Sequence, residues 1–157
     1  MAEEFQVALV EQWVGLRGAQ RRWKMAKMEV KSFGVPDEVR TFEKGRVELV
    51  KVGDVTIGKG IFEPGWKWST HVKPLAKTKS CEAPHFQYQI TGTMMVVMDD
   101  GTTRECKAGD VSLLPSGHDA WVVGNDPVVV IDFQGMADYA KVSSAAKSAS
   151  GQGVASR

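Results

Sequence analysis

"PSGHDAWVVG", residues 115–124, sets two polar residues against an apolar strand. A Pro-x-Gly turn runs into "AWVV", yet His118 and Asp119 hold the first positions after it. Such a stretch is either a turn that carries polar residues or the wall of a site. "PHFQYQITG" (84–92) and "PGWKWSTHVKP" (64–74) raise the same question, and the chain's three histidines, His71, His85 and His118, fall one in each.

These stretches belong to a region, about 38 to 134, that reads as all-β. Runs rich in Val, Ile, Thr, Phe and Trp recur between Gly, Pro and Asp at the spacing of short strands. "RVELVKV" precedes a Gly-Asp turn and "VTIGKGIF" follows it. "TMMVVMD" meets "TTREC" across Asp99-Asp100-Gly101, which is hairpin chemistry. "VVVIDF" is apolar at consecutive positions and reads as a strand buried on both faces. No helical period interrupts the region, and closing it into a barrel or double sheet removes exposed edges.

The totals agree with one domain. The chain has 157 residues, 43% hydrophobic and 25% charged, enough to bury a core. A net charge of +1 points to no nucleic-acid partner. Two cysteines, Cys81 and Cys106, make no disulfide framework, and a reduced cytoplasm is the expected location. No segment has the apolar length of a membrane span, so no membrane partner is expected.

The ends read differently. Phe5, Leu9, Trp13 and Leu16 fall on one helical stripe, which predicts an N-terminal helical extension over 1–30 that packs on the barrel or on a second subunit. The barrel is expected over 31–135. Residues 136–157 are read as a short helix around "MADYAKV" and a disordered tail with little to bury.

Strand parity places the polar side chains. Residues two apart share a face, so His85, Gln87 and Gln89 line one side of "HFQYQIT" while Phe86, Tyr88 and Ile90 line the other. A ligand-lined interior and a solvent face both fit that pattern. Read as a strand, "WKWSTHVK" puts Ser69, His71 and Lys73 together, opposite Trp66 and Trp68.

The spacing resembles the two motifs of the cupin superfamily, in particular its small single-domain members. Gly65, five residues and His71 resemble the start of the first motif; His85, six residues and Gly92 resemble its close. Gly109, five residues and Pro115-Ser116-Gly117 resemble the start of the second. The departures are specific. Lys73 stands at the first motif's second histidine, His85 at its glutamate, Ala120 at the second motif's histidine and Gly124 at its asparagine. His118 lies two residues before Ala120, on the same strand face, and reads as a shifted ligand.

The resemblance implies a double-stranded β-helix of jelly-roll type, a homodimer, and a divalent metal in the barrel. The expected ligands are His71, His85 and His118, with Cys81 as a fourth from the inserted stretch. Zinc or iron suits these donors, ahead of manganese or nickel. Three protein ligands leave a position for water or substrate, whereas a fourth from Cys81 leans toward a structural or sensing ion. Gln87, Trp68, Trp121 and Lys73 are expected to contact a small organic molecule, anionic because the shell holds no carboxylate. Three readings follow: a metal-dependent enzyme of dioxygenase, isomerase or lyase type, a ligand- or metal-binding module without turnover, and a metal-free barrel that has lost the family's site, to which Lys73 and Ala120 point. Each residue also has a structural reading, Cys81 as a small buried apolar group, the tryptophans as core and Lys73 as a surface cation.

Overall fold

The computed structural model describes residues 27–141. The chain divides into Met1–Val30 and Lys31–Arg157, and the architecture is that of the second unit. The predicted N-terminal helix falls almost wholly outside the described residues, as does the predicted tail from 142 on.

Among the described residues there are nine strands: β1 (Glu38–Phe42), β2 (Gly45–Val52), β3 (Val55–Phe62), β4 (His85–Thr91), β5 (Thr93–Met98), β6 (Thr103–Lys107), β7 (Val111–Leu114), β8 (His118–Val123) and β9 (Val128–Gln134). They form a six-stranded sheet, ordered β1-β2-β3-β9-β4-β7, and a three-stranded sheet, β6-β5-β8, with every pairing antiparallel. Such crossovers between two antiparallel sheets make a jelly roll, the cupin-type fold the motifs imply. Beyond β8 the smaller sheet keeps, among the described residues, only two isolated bridges, Lys67 with Trp121 and Cys81 with His118.

The predicted turns explain much of this. Val52 pairs with Val55 across Gly53-Asp54, and Val97 pairs with Thr103 across Asp99-Asp100-Gly101. Gly92, at φ +71°, joins β4 to β5 where a Cβ would stand 2.6 Å from the Pro127 carbonyl oxygen. A side chain there would force the β8–β9 connection away.

Three expectations fail. "WKWSTHVK" is not a strand: α1 (Trp68–His71) and α2 (Lys73–Ala76) follow each other as short helical turns. Pro74 fits the first turn of α2, where its missing N–H has no partner to lose. Asp119 holds α1 against β8, its Oδ1 accepting from the Ser69 amide at 3.0 Å. "VVVIDF" is buried on one face, at Val128, Val130 and Asp132, while Val129 and Ile131 are half-buried and Phe133 is exposed. Over its described part the helix expected at "MADYAKV" is a run of turns, 136–140.

Inward positions of both sheets make the core, including Val47, Leu49, Phe62, Met94, Val96, Val122 and Val130. Trp66 packs on Phe62 with ring centroids 4.2 Å apart. No helix among the described residues is long and apolar enough to cross a membrane.

Phe62 is 3% exposed at the centre of this packing. Phe62→Ala is expected to lower the unfolding free energy by about 3–5 kcal/mol, the range for emptying a buried aromatic site. Urea titration of the two proteins measures it, and a loss under about 1 kcal/mol would contradict this picture of the core.

Candidate metal centre

β4 delivers its polar residues inward. Its burial alternates so that His85, Gln87 and Gln89 are buried while Phe86, Tyr88 and Ile90 are exposed. β8 does likewise with His118, Ala120 and Val122. The two strands lie in different sheets, so inward residues from both meet inside the barrel. Cys81 joins them through main-chain bonds, its amide donating to the His118 carbonyl at 2.8 Å.

Cys81, His85 and His118 are all buried, and their candidate ligand atoms lie within 4.8 Å of one another. Cys81 Sγ is 3.6 Å from His85 Nε2. A tetrahedral ion with metal–sulfur and metal–nitrogen bonds of about 2.3 and 2.05 Å would hold those atoms about 3.5 Å apart. The imidazoles meet edge to face, with centroids 5.4 Å apart.

Backbone and carboxylate partners set the tautomers. Asp132, fully buried on β9, accepts from His85 Nδ1 through Oδ2 and from the Gln134 amide through Oδ1 at 2.7 Å. His118 Nδ1 donates to the Pro115 carbonyl at 2.7 Å. Each Nδ1 is therefore engaged by an acceptor, which leaves each Nε2 as the nitrogen turned toward the other candidate ligands. Such outer partners orient imidazole ligands and raise their basicity.

Burial governs the charges. It pushes the Cys81 thiol up to about 11, with the hydrogen bond to the Ala83 backbone opposing. It also lowers His118, with the nearby His85 adding to the effect and the Pro115 carbonyl opposing it. The set is thus a protonated thiol and a neutral imidazole beside the Asp132–His85 pair. A divalent cation would reverse that state for the thiol, since coordination deprotonates it.

A cavity of about 20 Å3 adjoins the two histidines, enough for one water. Gln87, Trp66, Trp68, Met136 and Tyr139 help line it. Gln89 is committed elsewhere, its Nε2 donating to the Gly92 and Cys106 carbonyls at 2.9 and 3.0 Å. Gln87 Nε2 and Trp66 Nε1 are buried without an acceptor. Two orphaned donors beside two imidazoles are unusual in an interior where polar groups are nearly always paired. They suit an oxygen-bearing ligand. Trp68 and Tyr139 also border an open cleft of about 520 Å3 that reaches Cys81.

The remaining predicted residues separate. His71 lies outside the group because its segment is helical; its Nδ1 is 2.9 Å from the amide and carbonyl of Lys67. Lys73 is exposed at the start of α2 and lines neither cavity. Trp121 points to the face of β8 opposite His118, where Lys67 Nζ sits 5.1 Å from its ring centroid. Trp68 and Gln87 are at the site.

Asp132, Tyr139, Met136 and Arg40 escape the sequence reading. Asp132 had a signal, a lone carboxylate in phase with Val128 and Val130. The others had none. Tyr139 comes from beyond the last strand, and its ring centroid is 5.5 Å from that of His85. Its burial raises the phenol well above the ordinary value. Arg40 holds that segment, its guanidinium donating to the carbonyls of Met136, Ala137 and Tyr139 at 3.3, 2.8 and 2.6 Å.

No family model matches the chain. No curated protein matches it either. Among solved structures it is similar to an oxalate decarboxylase of Lactobacillus farciminis in a formate complex, at 18% identity and TM-score 0.45 over 60% of this chain. This chain spans 30% of that protein's length. It is also similar to KdgF from Halomonas sp. (19%, TM-score 0.44, 59% of this chain and 82% of the other). A third is a cupin-like protein of Thermotoga maritima (19%, TM-score 0.42, 59% and 70%).

The raised thiol makes Cys81 a poor nucleophile without metal. At pH 8 its alkylation by iodoacetamide should run about a hundredfold slower than that of free cysteine, rising toward pH 11 as the thiolate forms. Peptide mass spectrometry separates Cys81 from Cys106. Rapid labelling at neutral pH would mean an open or metal-activated site.

Proposed function

We propose that this cupin-type barrel binds one divalent metal ion through Cys81, His85 and His118 and uses it on a small organic molecule. The observation that carries the reading is the pair of Nδ1 anchors, Asp132 on His85 and the Pro115 carbonyl on His118, which turn both Nε2 atoms to ligand duty beside Cys81. Thiolate with two imidazoles suits zinc or iron better than manganese. Without His71 the protein supplies three donors, so a coordination position stays available.

When bound, the ion would supply Lewis acidity or activate an oxygen ligand. The protein's own groups do the rest. Gln87 Nε2 and Trp66 Nε1 donate to an oxygen in the cavity; Trp68 and Tyr139 shape its approach; Phe62, Met94 and Leu114 keep bulk water out. The open position favours the enzyme over a closed structural ion, and the reaction type lies among the dioxygenase, isomerase and lyase classes. The expectation of an anionic ligand loses its premise. A Cys81 thiolate and the Asp132 carboxylate together balance a divalent charge, so a neutral or singly charged oxygen donor fits. The reading includes a homodimer, as the family resemblance implies.

Metal analysis of protein purified without a histidine tag should give one equivalent of zinc or iron per chain. His85→Ala, His118→Ala and Cys81→Ala should each abolish tight binding, while His71→Ala leaves it intact. Asp132→Asn should weaken binding about 10–100-fold by loosening the His85 ring. In the cobalt-loaded protein a thiolate charge-transfer band should disappear in Cys81→Ser. Retention of stoichiometric metal by Cys81→Ala and His118→Ala would overturn the assignment. Unfolding on chelation would assign the ion a structural role.

A further inference from the structure

The outer face of the larger sheet changes character across its width. Over β2 and β3 it carries Arg46, Glu48 and Lys59, with Glu48 bridging both cations at 2.9 and 3.2 Å. Over β9, β4 and β7 it carries Phe86, Tyr88, Ile90, Val111, Leu113 and Phe133, all exposed. No charged side chain interrupts that set, because the register places the strands' polar residues inward: Gln87 faces Ser112 on one side and Asp132 on the other. Leu113 is 70% exposed and Val111 65%, on a strand that ends its sheet among the described residues. Phe86 and Phe133 stack beside them with centroids 6.0 Å apart.

An antiparallel sheet with one solvated face normally turns polar residues outward. Edge strands of soluble proteins are normally guarded by charge. The first rule is broken on all three strands and the second on β7, the one of them at the sheet's edge. The six side chains present roughly 550 Å2 of apolar surface, near the top of the range for a monomer. That is most of the about 800 Å2 that each partner gives to a standard interface.

We infer that the β9-β4-β7 face is the surface through which two copies of this chain pack sheet against sheet. A second copy is the occupant this surface fits. In a two-fold interface the same patch meets itself, so a charged patch would oppose its own image, and an uncharged apolar one is self-complementary. The inference rests on the homodimer reading and adds where the contact lies. It is independent of the metal, whose ligands face the other side of β4. The face and the site are nevertheless linked, since His85 and Phe86 are adjacent residues on opposite sides of one strand.

Sedimentation equilibrium of the full chain at tens of micromolar should give twice 17.2 kDa. Leu113→Asp should raise the dissociation constant at least a hundredfold and give monomer at that concentration. Val123→Asp, at an exposed position on the smaller sheet, should stay dimeric. Circular dichroism and metal content should match the parent in both, and Leu113→Gln gives the same test with less disturbance if the aspartate variant does not fold. A monomeric parent would overturn the dimer and this interface together. A dimer that survives both Leu113 substitutions would overturn only the interface. A dimer lost when residues 1–26 are removed but kept in Leu113→Asp would assign the contact to that segment instead.

Discussion

Burying the Asp132 carboxylate is the condition on which the rest of this molecule depends. A carboxylate with no exposure is expensive to desolvate, and it is tolerated only where strong donors surround it. Here the His85 ring and the Gln134 amide supply them. The pair ties β9 to β4 at one register, with Gln87 opposite Asp132. It also decides which nitrogen of His85 faces Cys81. One polar contact therefore sets strand pairing, ring orientation and the placing of a candidate ligand atom at once.

Much follows from the phase of β4. Its polar residues point inward and its apolar residues outward, the reverse of an ordinary half-solvated strand. Shifting it by one residue would bury Phe86 and Tyr88 and improve the core, but it would expel His85, Gln87 and Gln89 together. The bonds from Gln89 to the Gly92 and Cys106 carbonyls, with the Asp132 contact, hold the costlier phase. The fold accepts polar groups inside and bare apolar groups outside on one strand, which is the pattern of a protein with business on both faces.

The legible parts of this structure were those ruled by local geometry. The Gly-Asp and Asp-Asp-Gly turns, the all-β character and the shared face of His85, Gln87 and Gln89 could all be read from neighbours along the chain, whereas the side of the sheet that this face takes depends on partners distant in sequence. Cys81 was found because it lies close in sequence to His85. His71 was expected at the site from its spacing to Gly65, which resembles the first motif, but its segment coils instead of running as a strand, with Asp119 accepting from the Ser69 amide. Trp121 was assignable from the parity that placed His118, and that parity puts it on the wrong face for a pocket. Asp132 stood out as a lone carboxylate, yet its partner is 47 residues away. Tyr139 and Arg40 meet only in the folded chain and left no periodic trace.

The Arg40 contacts alter where this domain must be taken to stop. β9 ends at Gln134 and completes the sheet, but Met136 and Tyr139 still wall the inner cavity. Gly135, at φ +103°, makes the reversal that brings them back, and a Cβ there would strike the Pro84 carbonyl. A chain truncated at the last strand would keep every sheet pairing and every candidate ligand yet lose the roof over them. Anyone trimming this protein for crystallisation should cut beyond Lys141, since secondary structure alone marks the boundary several residues too early.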